Sequence, residues 1–194
     1  MTKKKVYLAG PEVFFPNGRE LIARKHAMLA EFGLLPSARQ GEFLTWTDRR
    51  PGEIGLEISR HNEQLIEEAD LLIANITPFR SLSADPGTVY ELGYMCALGR
   101  PVHAYSNDAR DYADRAALAP ALLPLTHSED GGLRAGDDTA IEAHGFADNL
   151  MIDGGILRRG GAVIRHATRS EAIWTDLAGF RACLEHAVQV GRAM

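Results

Sequence analysis

One continuous stretch, residues 71–98, limits what this chain can fold into more than any other. It begins with the apolar run Leu71–Ile76, which is typical of a parallel strand buried on both faces. A helical pattern follows from about Thr88 to Leu98, where Gly99 ends it. The residues between strand and helix therefore form a loop. In an open α/β sheet such loops lie at the carboxyl ends of the strands, which is where ligands bind.

Two carboxylates, Asp85 and Glu91, lie six positions apart in this connection. We place Asp85 in the loop and Glu91 in the first helical turn, where free backbone N–H groups and the helix dipole favour an ionised side chain. A fixed, ionised carboxylate is the group that a nucleophilic glycosyl-transfer reaction requires. Spacing alone leaves open the alternative that Asp85 is an ordinary loop residue and Glu91 an ordinary surface residue of the helix.

Composition excludes several classes of protein. The 194 residues carry a net charge of −5 without any basic run, which argues against a nucleic-acid polymer as partner. The two cysteines, Cys96 and Cys183, form no CxxC or Cys/His cluster, so neither a disulfide framework nor a zinc site is expected. No apolar run approaches the roughly 18 residues of a membrane span, and the N-terminus predicts a first strand rather than a signal peptide. We therefore expect a cytoplasmic protein that does not contact a membrane.

Apolar runs alternate with helical patterns along the whole chain. Strands are predicted at residues 6–10, 34–36, 70–76 and 102–105, and residues 160–164 form either a fifth strand or a turn. Helices are predicted at 17–32, 53–68, 88–98, 146–154 and 173–188. This alternation predicts one α/β domain over residues 1–194, a three-layer sandwich with a mainly parallel, flavodoxin-like (Rossmann-type) sheet of about five strands. Residues 106–147 are the least regular part, and whether they form a mobile lid stays open.

The loop after the first strand and a long polar loop supply further candidate ligand contacts. Gly10 ends the first strand and lets the backbone approach a ligand closely, although no GxGxxG follows it to indicate a dinucleotide. Trp46 lies in the polar stretch 37–52, where it either stacks on a planar ligand or packs the loop against the domain.

Four separated motifs resemble those of one enzyme family. They are Val6–Phe14 (VYLAGPEVF), Asp70–Arg80 (DLLIANITPFR), Asp85–Tyr94 (DPGTVYELGY) and Asp148–Ile152 (DNLMI). Together, in this order, they are similar to the motifs of nucleoside 2-deoxyribosyltransferases. The resemblance implies an enzyme that moves a 2-deoxyribosyl group between nucleobases through a covalent sugar–enzyme ester. Its partners are then 2′-deoxynucleosides and free purine or pyrimidine bases, and neither a cofactor nor a metal is expected.

The resemblance also assigns roles residue by residue. Glu91 matches the nucleophile, Asp85 the residue that exchanges a proton with the base, and Tyr7 a tyrosine that orients the nucleophile. Asn62 falls where the family places a polar side chain against the base. Asp148 and Asn149 match a pair that the family delivers from a neighbouring subunit to the sugar 5′-hydroxyl, which implies a homo-oligomer whose site a second subunit completes. An N-cap role alone for Asn149 remains an alternative.

Other substrate contacts are predicted from the first and third loops. They are Gly10, Phe14, Thr77 and Phe79, with the two phenylalanines either walling the base pocket or only packing, and Thr77 either contacting substrate or capping its turn. If the site follows the retaining pattern, the two carboxyl groups lie roughly 5–5.5 Å apart. We expect the helix N-terminus and Tyr7 to lower the pKa of Glu91, and a drier loop beside another carboxylate to raise that of Asp85.

Two rival functions remain. Related enzymes hydrolyse nucleoside 5′-monophosphates, which requires a phosphate cradle near the first loop, where Glu12 would repel a phosphate if it faced the pocket. A non-catalytic nucleotide-binding sensor on the same fold is the second rival. The sequence leaves open which bases are exchanged and whether the oligomer is a dimer, tetramer or hexamer.

Overall fold

A five-stranded parallel sheet forms the centre of the molecule. The computed structural model describes residues 3–38 and 50–193, and Trp46 lies outside them. The strand order is β2-β1-β3-β4-β7, and all four strand pairs are parallel. The strands are β1 (Lys5–Ala9), β2 (Leu35–Pro36), β3 (Leu71–Asn75), β4 (Val102–Ser106) and β7 (Val163–Arg165). This order and the helices around it confirm the predicted three-layer α/β fold with a flavodoxin-like winding.

Helices cover both faces of the sheet. They are α1 (Gly18–Glu31), α2 (Pro51–Glu68), α3 (Pro86–Ala97), α4 (Tyr112–Ala116), α5 (Leu150–Leu157) and α6 (Ala178–Ala193). One hydrophobic core lies between the sheet and α2, α3 and α5, and a second lies between the sheet and α1 and α6. Successive residues of β3 belong to opposite cores: Leu72, for example, to the first and Ile73 to the second. This explains why β3 is apolar at its first four consecutive positions rather than at every second one.

Four helices begin two or more residues away from the predicted start; among them, α2 begins at Pro51 rather than 53 and α5 at Leu150 rather than 146. Helix α3 begins at Pro86, because Asp85 accepts a hydrogen bond from the Thr88 backbone and Pro86 occupies the first helical position. Glu91 is therefore the sixth residue of α3 and not part of its first turn, which corrects the predicted placement. Helix α6 begins at Ala178 rather than near residue 173, because the Asp176 carboxylate accepts a hydrogen bond from the Ala178 backbone N–H at 2.8 Å.

The stretch 106–147, irregular in sequence, contains several short elements. It includes α4, a 3₁₀ turn at Pro120–Leu122, and an antiparallel hairpin of β5 (Thr126–His127) and β6 (Leu133–Arg134). Within residues 3–38 and 50–193, no helix is both long enough and apolar enough to cross a membrane.

Candidate active site

Three elements bring one carboxylate and its hydrogen-bond donors together. Tyr7 points from β1 towards α3, and its hydroxyl donates to Oε1 of Glu91 at 2.5 Å. The Asn62 amide of α2 approaches the same oxygen, with its Nδ2 at 3.4 Å. Tyr7 is 84 positions away from Glu91 in sequence, and only the parallel alignment of β1 beside β3 brings the two close. The structure thus places all three side chains in one cluster, as the motif resemblance implies.

The electrostatic setting of Glu91 differs from the prediction. Burial raises the pKa of Glu91 to about 7, the negative charge of Asp85 adds to this rise, and the Tyr7 hydrogen bond opposes it. The predicted lowering is wrong, because Glu91 lies one turn deeper in α3 than expected and the free N–H groups of the first turn are beyond its reach. Burial also raises the pKa of Tyr7, so this phenol stays a neutral donor.

The two oxygens of the Asp85 carboxylate have different surroundings. Its Oδ2 accepts hydrogen bonds from the Thr88 backbone N–H at 3.0 Å and from the Thr88 hydroxyl at 3.3 Å. No hydrogen bond to its Oδ1 is found among the described residues. The capping bonds hold the carboxyl at the start of α3, while its second oxygen is left to contact a ligand.

Aromatic side chains from the loops after β1 and β3 form a second cluster at the carboxyl ends of the strands. The rings of Phe14 and Phe79 stack with centroids 5.6 Å apart and planes 11° apart. Phe79 is 8% exposed because Phe15 and Trp174 close around it, each with its ring centroid 5.8 Å away. Phe79 is therefore a packing residue, whereas Phe14, at 53% exposed, is the ring of the stacked pair that offers surface to a planar ligand. Sequence reasoning missed Phe15 and Trp174 as members of this cluster; Trp174 fell within the helix predicted at 173–188, whereas α6 begins only at Ala178.

Arg80 also belongs to this aromatic cluster. Its guanidinium carbon lies 4.6 Å from the Phe79 ring centroid and 5.3 Å from that of Phe14. Its backbone has a φ of 57°, a left-handed conformation that is uncommon for residues other than glycine. The exposed cation is thus fixed beside the exposed ring of Phe14.

Two predicted substrate contacts face the protein instead. A Cβ at Gly10 would lie 2.1 Å from Oε2 of Glu12, so the glycine leaves room for that side chain. Thr77 is fully buried; its hydroxyl donates to Oδ1 of Asn75 at 2.6 Å and accepts from the Asn107 backbone at 3.0 Å. The prediction of a substrate contact by the Thr77 side chain is wrong, because its hydroxyl is used in tying two loops together.

Glu12 does not face the pocket either. It is 4% exposed, pairs with the equally buried Lys25 ammonium, and accepts from Nδ2 of Asn75 at 2.7 Å and from the Tyr105 hydroxyl at 3.3 Å. Burial alone would raise its pKa, but the charge and hydrogen bond of Lys25 prevail and the pKa is lowered. The expected repulsion of a phosphate by Glu12 therefore falls away.

The Asp148–Asn149 pair is used within its own chain. Asp148 is 1% exposed, and its carboxylate accepts from Ser83, from the Ala84 backbone at 2.8 Å and from the Asn149 backbone at 2.7 Å. The expectation that Asp148 reaches a neighbouring subunit is wrong, because the side chain is enclosed. Asn149 caps α5 by accepting from the Met151 backbone at 3.0 Å, and its amide donates to Glu142 at 2.6 Å.

No group of three or more His, Cys, Asp or Glu side chains among the described residues is arranged to hold a metal ion. The carboxylate cluster contains a carboxyl whose pKa is raised to about 7, a second carboxyl, a phenol and an amide.

Comparison with known proteins assigns this arrangement to a family. Residues 6–151 match the family model described as nucleoside 2-deoxyribosyltransferase. The chain belongs to that family. The matched range contains the whole carboxylate cluster, whereas Trp174 lies beyond it.

Individual relatives agree with the family. The deoxyribosyltransferase fold of this chain resembles a 2-desoxiribosyltransferase from Leishmania mexicana, with a TM-score of 0.61 and 27% identity over 94% of this chain and 98% of that one. A conserved protein from Enterococcus faecalis has the same fold, with a TM-score of 0.54 and 16% identity over 96% and 99% of the two chains. An uncharacterized protein from Schizosaccharomyces pombe is 32% identical over 181 residues, 89% of this chain and 86% of the relative.

Proposed function

We propose that the protein transfers the 2-deoxyribosyl group of a 2′-deoxynucleoside to another purine or pyrimidine base. The observation that carries the proposal is the Glu91 carboxyl, held by the Tyr7 hydroxyl at 2.5 Å and approached by the Asn62 amide at 3.4 Å, with Asp85 close enough to raise its pKa. Membership of the deoxyribosyltransferase family supports the same reaction.

In the first half-reaction, an oxygen of ionised Glu91 attacks C1′ from the face opposite the base. The C1′–N bond breaks, its electron pair leaves with the base, and Asp85 gives the departing nitrogen a proton. The product is a glycosyl ester on Glu91. Positive charge that develops on the sugar ring in the transition state lies next to the carboxylate, which stabilises it.

In the second half-reaction, a nitrogen of the acceptor base attacks C1′ from the opposite face and loses its proton to Asp85. The ester bond to Glu91 breaks and the carboxylate is restored. Two inversions retain the configuration at C1′. Tyr7 stabilises the charged form of Glu91 through its hydrogen bond, and the exposed Phe14 ring offers the base a stacking surface.

The cellular setting follows from this chemistry as part of the proposal. Exchange of bases on preformed deoxynucleosides serves nucleoside salvage, and we place it in the cytoplasm. The homo-oligomer with a shared site also remains part of the proposal on family resemblance, although Asp148 is not the residue that a second subunit contributes.

A second candidate is hydrolysis of 2′-deoxynucleoside 5′-monophosphates. The specific observation in its favour is the neutralisation of Glu12 by Lys25, which leaves the first loop without an exposed negative charge from this residue. The exposed guanidinium of Arg80 lies near the same loop, since it contacts Phe14.

A base-exchange assay separates these functions. The protein is incubated with 2′-deoxyinosine and either cytosine or adenine, beside a control without acceptor, and the products are separated by chromatography. New deoxynucleoside that forms only with acceptor, and is lost in Glu91→Gln, supports the transferase. Equal release of hypoxanthine with and without acceptor contradicts it and favours a hydrolase, which 2′-deoxynucleoside monophosphates then test. Binding without any turnover, unchanged in Glu91→Gln, favours a sensor.

A further inference from the structure

The loop directly before Asp85 is anchored at consecutive residues by one buried carboxylate. Asp148 accepts a hydrogen bond from the Ser83 hydroxyl with Oδ1 and from the Ala84 backbone N–H at 2.8 Å with Oδ2. Ser83 and Ala84 are more than sixty positions away from Asp148 in sequence, so these contacts fix the loop to a distant part of the chain. Because Asp148 is 1% exposed, water does not compete for the bonds.

A buried arginine holds Leu82, the residue before Ser83, in a similar way. Arg115 is 3% exposed, and its Nε donates to the Leu82 carbonyl at 2.9 Å while its Nη2 donates to the Ala147 carbonyl. One guanidinium thus joins the loop before Asp85 to the segment before Asp148. The position of Asp148 is itself fixed, because Asp153 accepts hydrogen bonds from the backbone N–H groups of Ala147 and Asp148, both at 3.0 Å.

The consequence concerns the orientation of Asp85. The three residues before Asp85 in the chain are held by hydrogen bonds to Arg115 and Asp148. After Asp85 in the chain, the Thr88 backbone N–H donates to the Asp85 carboxyl at 3.0 Å. We propose that Asp148 is a positioning residue that sets the orientation of Asp85 for proton exchange with the base. This inference rests on the proposed function, in which Asp85 protonates the leaving base.

The Asp148→Asn substitution tests the role with little change in volume. An amide offers one acceptor oxygen where the carboxylate offers two, so its NH₂ group faces a donor and one bond to the Ser83–Ala84 loop is lost. Ser83→Ala removes one of the same bonds and leaves the carboxylate in place. Ile156→Val, a core change in α5, provides a control that removes no hydrogen bond.

The decisive readout is the dependence on the leaving base. Base release from 2′-deoxyguanosine requires a proton from Asp85, whereas 7-methyl-2′-deoxyguanosine carries a cationic base that leaves without one. Single-turnover base release is measured with both substrates for the wild type, Asp85→Asn, Asp148→Asn, Ser83→Ala and Ile156→Val. If Asp148 positions Asp85, Asp148→Asn slows base release from 2′-deoxyguanosine by about 30-fold or more and from the methylated substrate by less than about 3-fold. A loss of general acid catalysis gives this pattern. Ser83→Ala follows with a smaller selective loss, and Ile156→Val shows no selectivity.

Equal slowing of both substrates by Asp148→Asn, or no slowing, overturns the proposal. If Asp148→Asn fails to fold, Ser83→Ala decides: a loss confined to 2′-deoxyguanosine supports the role, and an equal loss or none contradicts it. A wild type that cleaves neither substrate refutes the proposed function, and amide hydrogen exchange then tests the anchor by itself. Faster exchange at Ala84 and Thr88 in Asp148→Asn than in Ile156→Val supports the anchor, and equal exchange refutes it.

Discussion

Two glutamates at the carboxyl edge of the sheet occupy opposite faces and have opposite electrostatic settings. Glu12 lies on the α1 and α6 side, 4% exposed, with the Lys25 ammonium against it. Glu91 lies on the α2 and α3 side, partly buried, with a phenol and an amide as its hydrogen-bond donors. The pKa of Glu12 is lowered despite its burial, because Lys25 compensates its charge, whereas the pKa of Glu91 is raised to about 7.

The difference shows that the partner, rather than burial, decides what a carboxylate at this edge can do. A carboxylate paired with a lysine is stabilised as an anion, and its charge is already neutralised before any ligand arrives. A carboxylate without a cation keeps its charge uncompensated, so a sugar that develops positive charge gains most from its proximity. We therefore assign Glu12 to structure and Glu91 to chemistry.

The largest expected effect is on activity. Glu91→Gln removes the proposed nucleophile, and we expect base exchange to fall by more than about 10⁴-fold. The matched control is the double variant Glu12→Gln/Lys25→Met, which removes the buried charge pair together and should keep exchange within about 3-fold of wild type. Rates are measured by chromatography at saturating substrate. A double variant as inactive as Glu91→Gln would break the distinction between the two glutamates.

The next effect is on stability and concerns Lys25 alone. Lys25→Met leaves the Glu12 carboxylate buried without its cation, and we expect a loss of about 3–5 kcal/mol in the free energy of unfolding. Removal of both charges in the double variant should recover most of this loss, since no uncompensated ion then remains buried. Denaturant unfolding measures both variants. If the double variant is as unstable as the single one, the pair contributes through packing and not through charge.

A smaller effect is a pH-dependent stabilisation by Glu91→Gln. The folded pKa of Glu91, about 7, lies above the 4.5 of an unperturbed glutamate, so the unfolded chain ionises first as the pH rises. Wild-type stability therefore falls between pH 4.5 and about 7 on account of this group, a loss that the glutamine avoids. We expect Glu91→Gln to be more stable than wild type by on the order of 2 kcal/mol at pH 8 and by almost nothing at pH 4. Stabilisation that is equal at both pH values would show that Glu91 titrates normally.

The smallest expected effect is a shift in the pH profile of Tyr7→Phe. The Tyr7 hydrogen bond opposes the rise in the Glu91 pKa, so its loss should raise that pKa further. We expect the acid limb of kcat/KM to move up by about one pH unit, about 1.4 kcal/mol. Tyr90→Phe is the matched control, because the exposed Tyr90 hydroxyl donates to Glu63 instead. A shift to lower pH, or the same shift in both variants, would contradict the role of Tyr7.

Much of the fold was predictable because it depends on local patterns. The largely apolar runs at 71–76 and 102–105 identified strands correctly, since every residue of these strands is buried and most of them are therefore apolar. The start of α3 was predicted two residues too late, near Thr88, although it was predictable from Asp85-Pro86, which has the signature of an N-cap and a first helical position. The beginning of α6 was not predictable, because the Asp176 cap works together with contacts to His166 and Thr168 that no periodicity reveals.

The candidate site, like the fold, was predictable only in part. The motifs contain Tyr7 and Glu91, and the resemblance places Asn62 outside them; the structure brings the three side chains into one cluster. The motifs could not show that Asp148 anchors the loop before Asp85 or that Trp174 closes around Phe79, because each contact joins segments far apart in the chain.

The sequence by itself determined the alternation of the main strands and helices outside residues 106–147, the loop that carries Asp85, and the residue types available for chemistry. Tertiary structure alone decided the state of those residues. A pKa depends on burial and on charges within a few ångströms, and the groups that supply them at Glu91 come from β1, α2 and the start of α3. No local pattern contains those distances, which is why the direction of the Glu91 pKa shift was predicted wrongly.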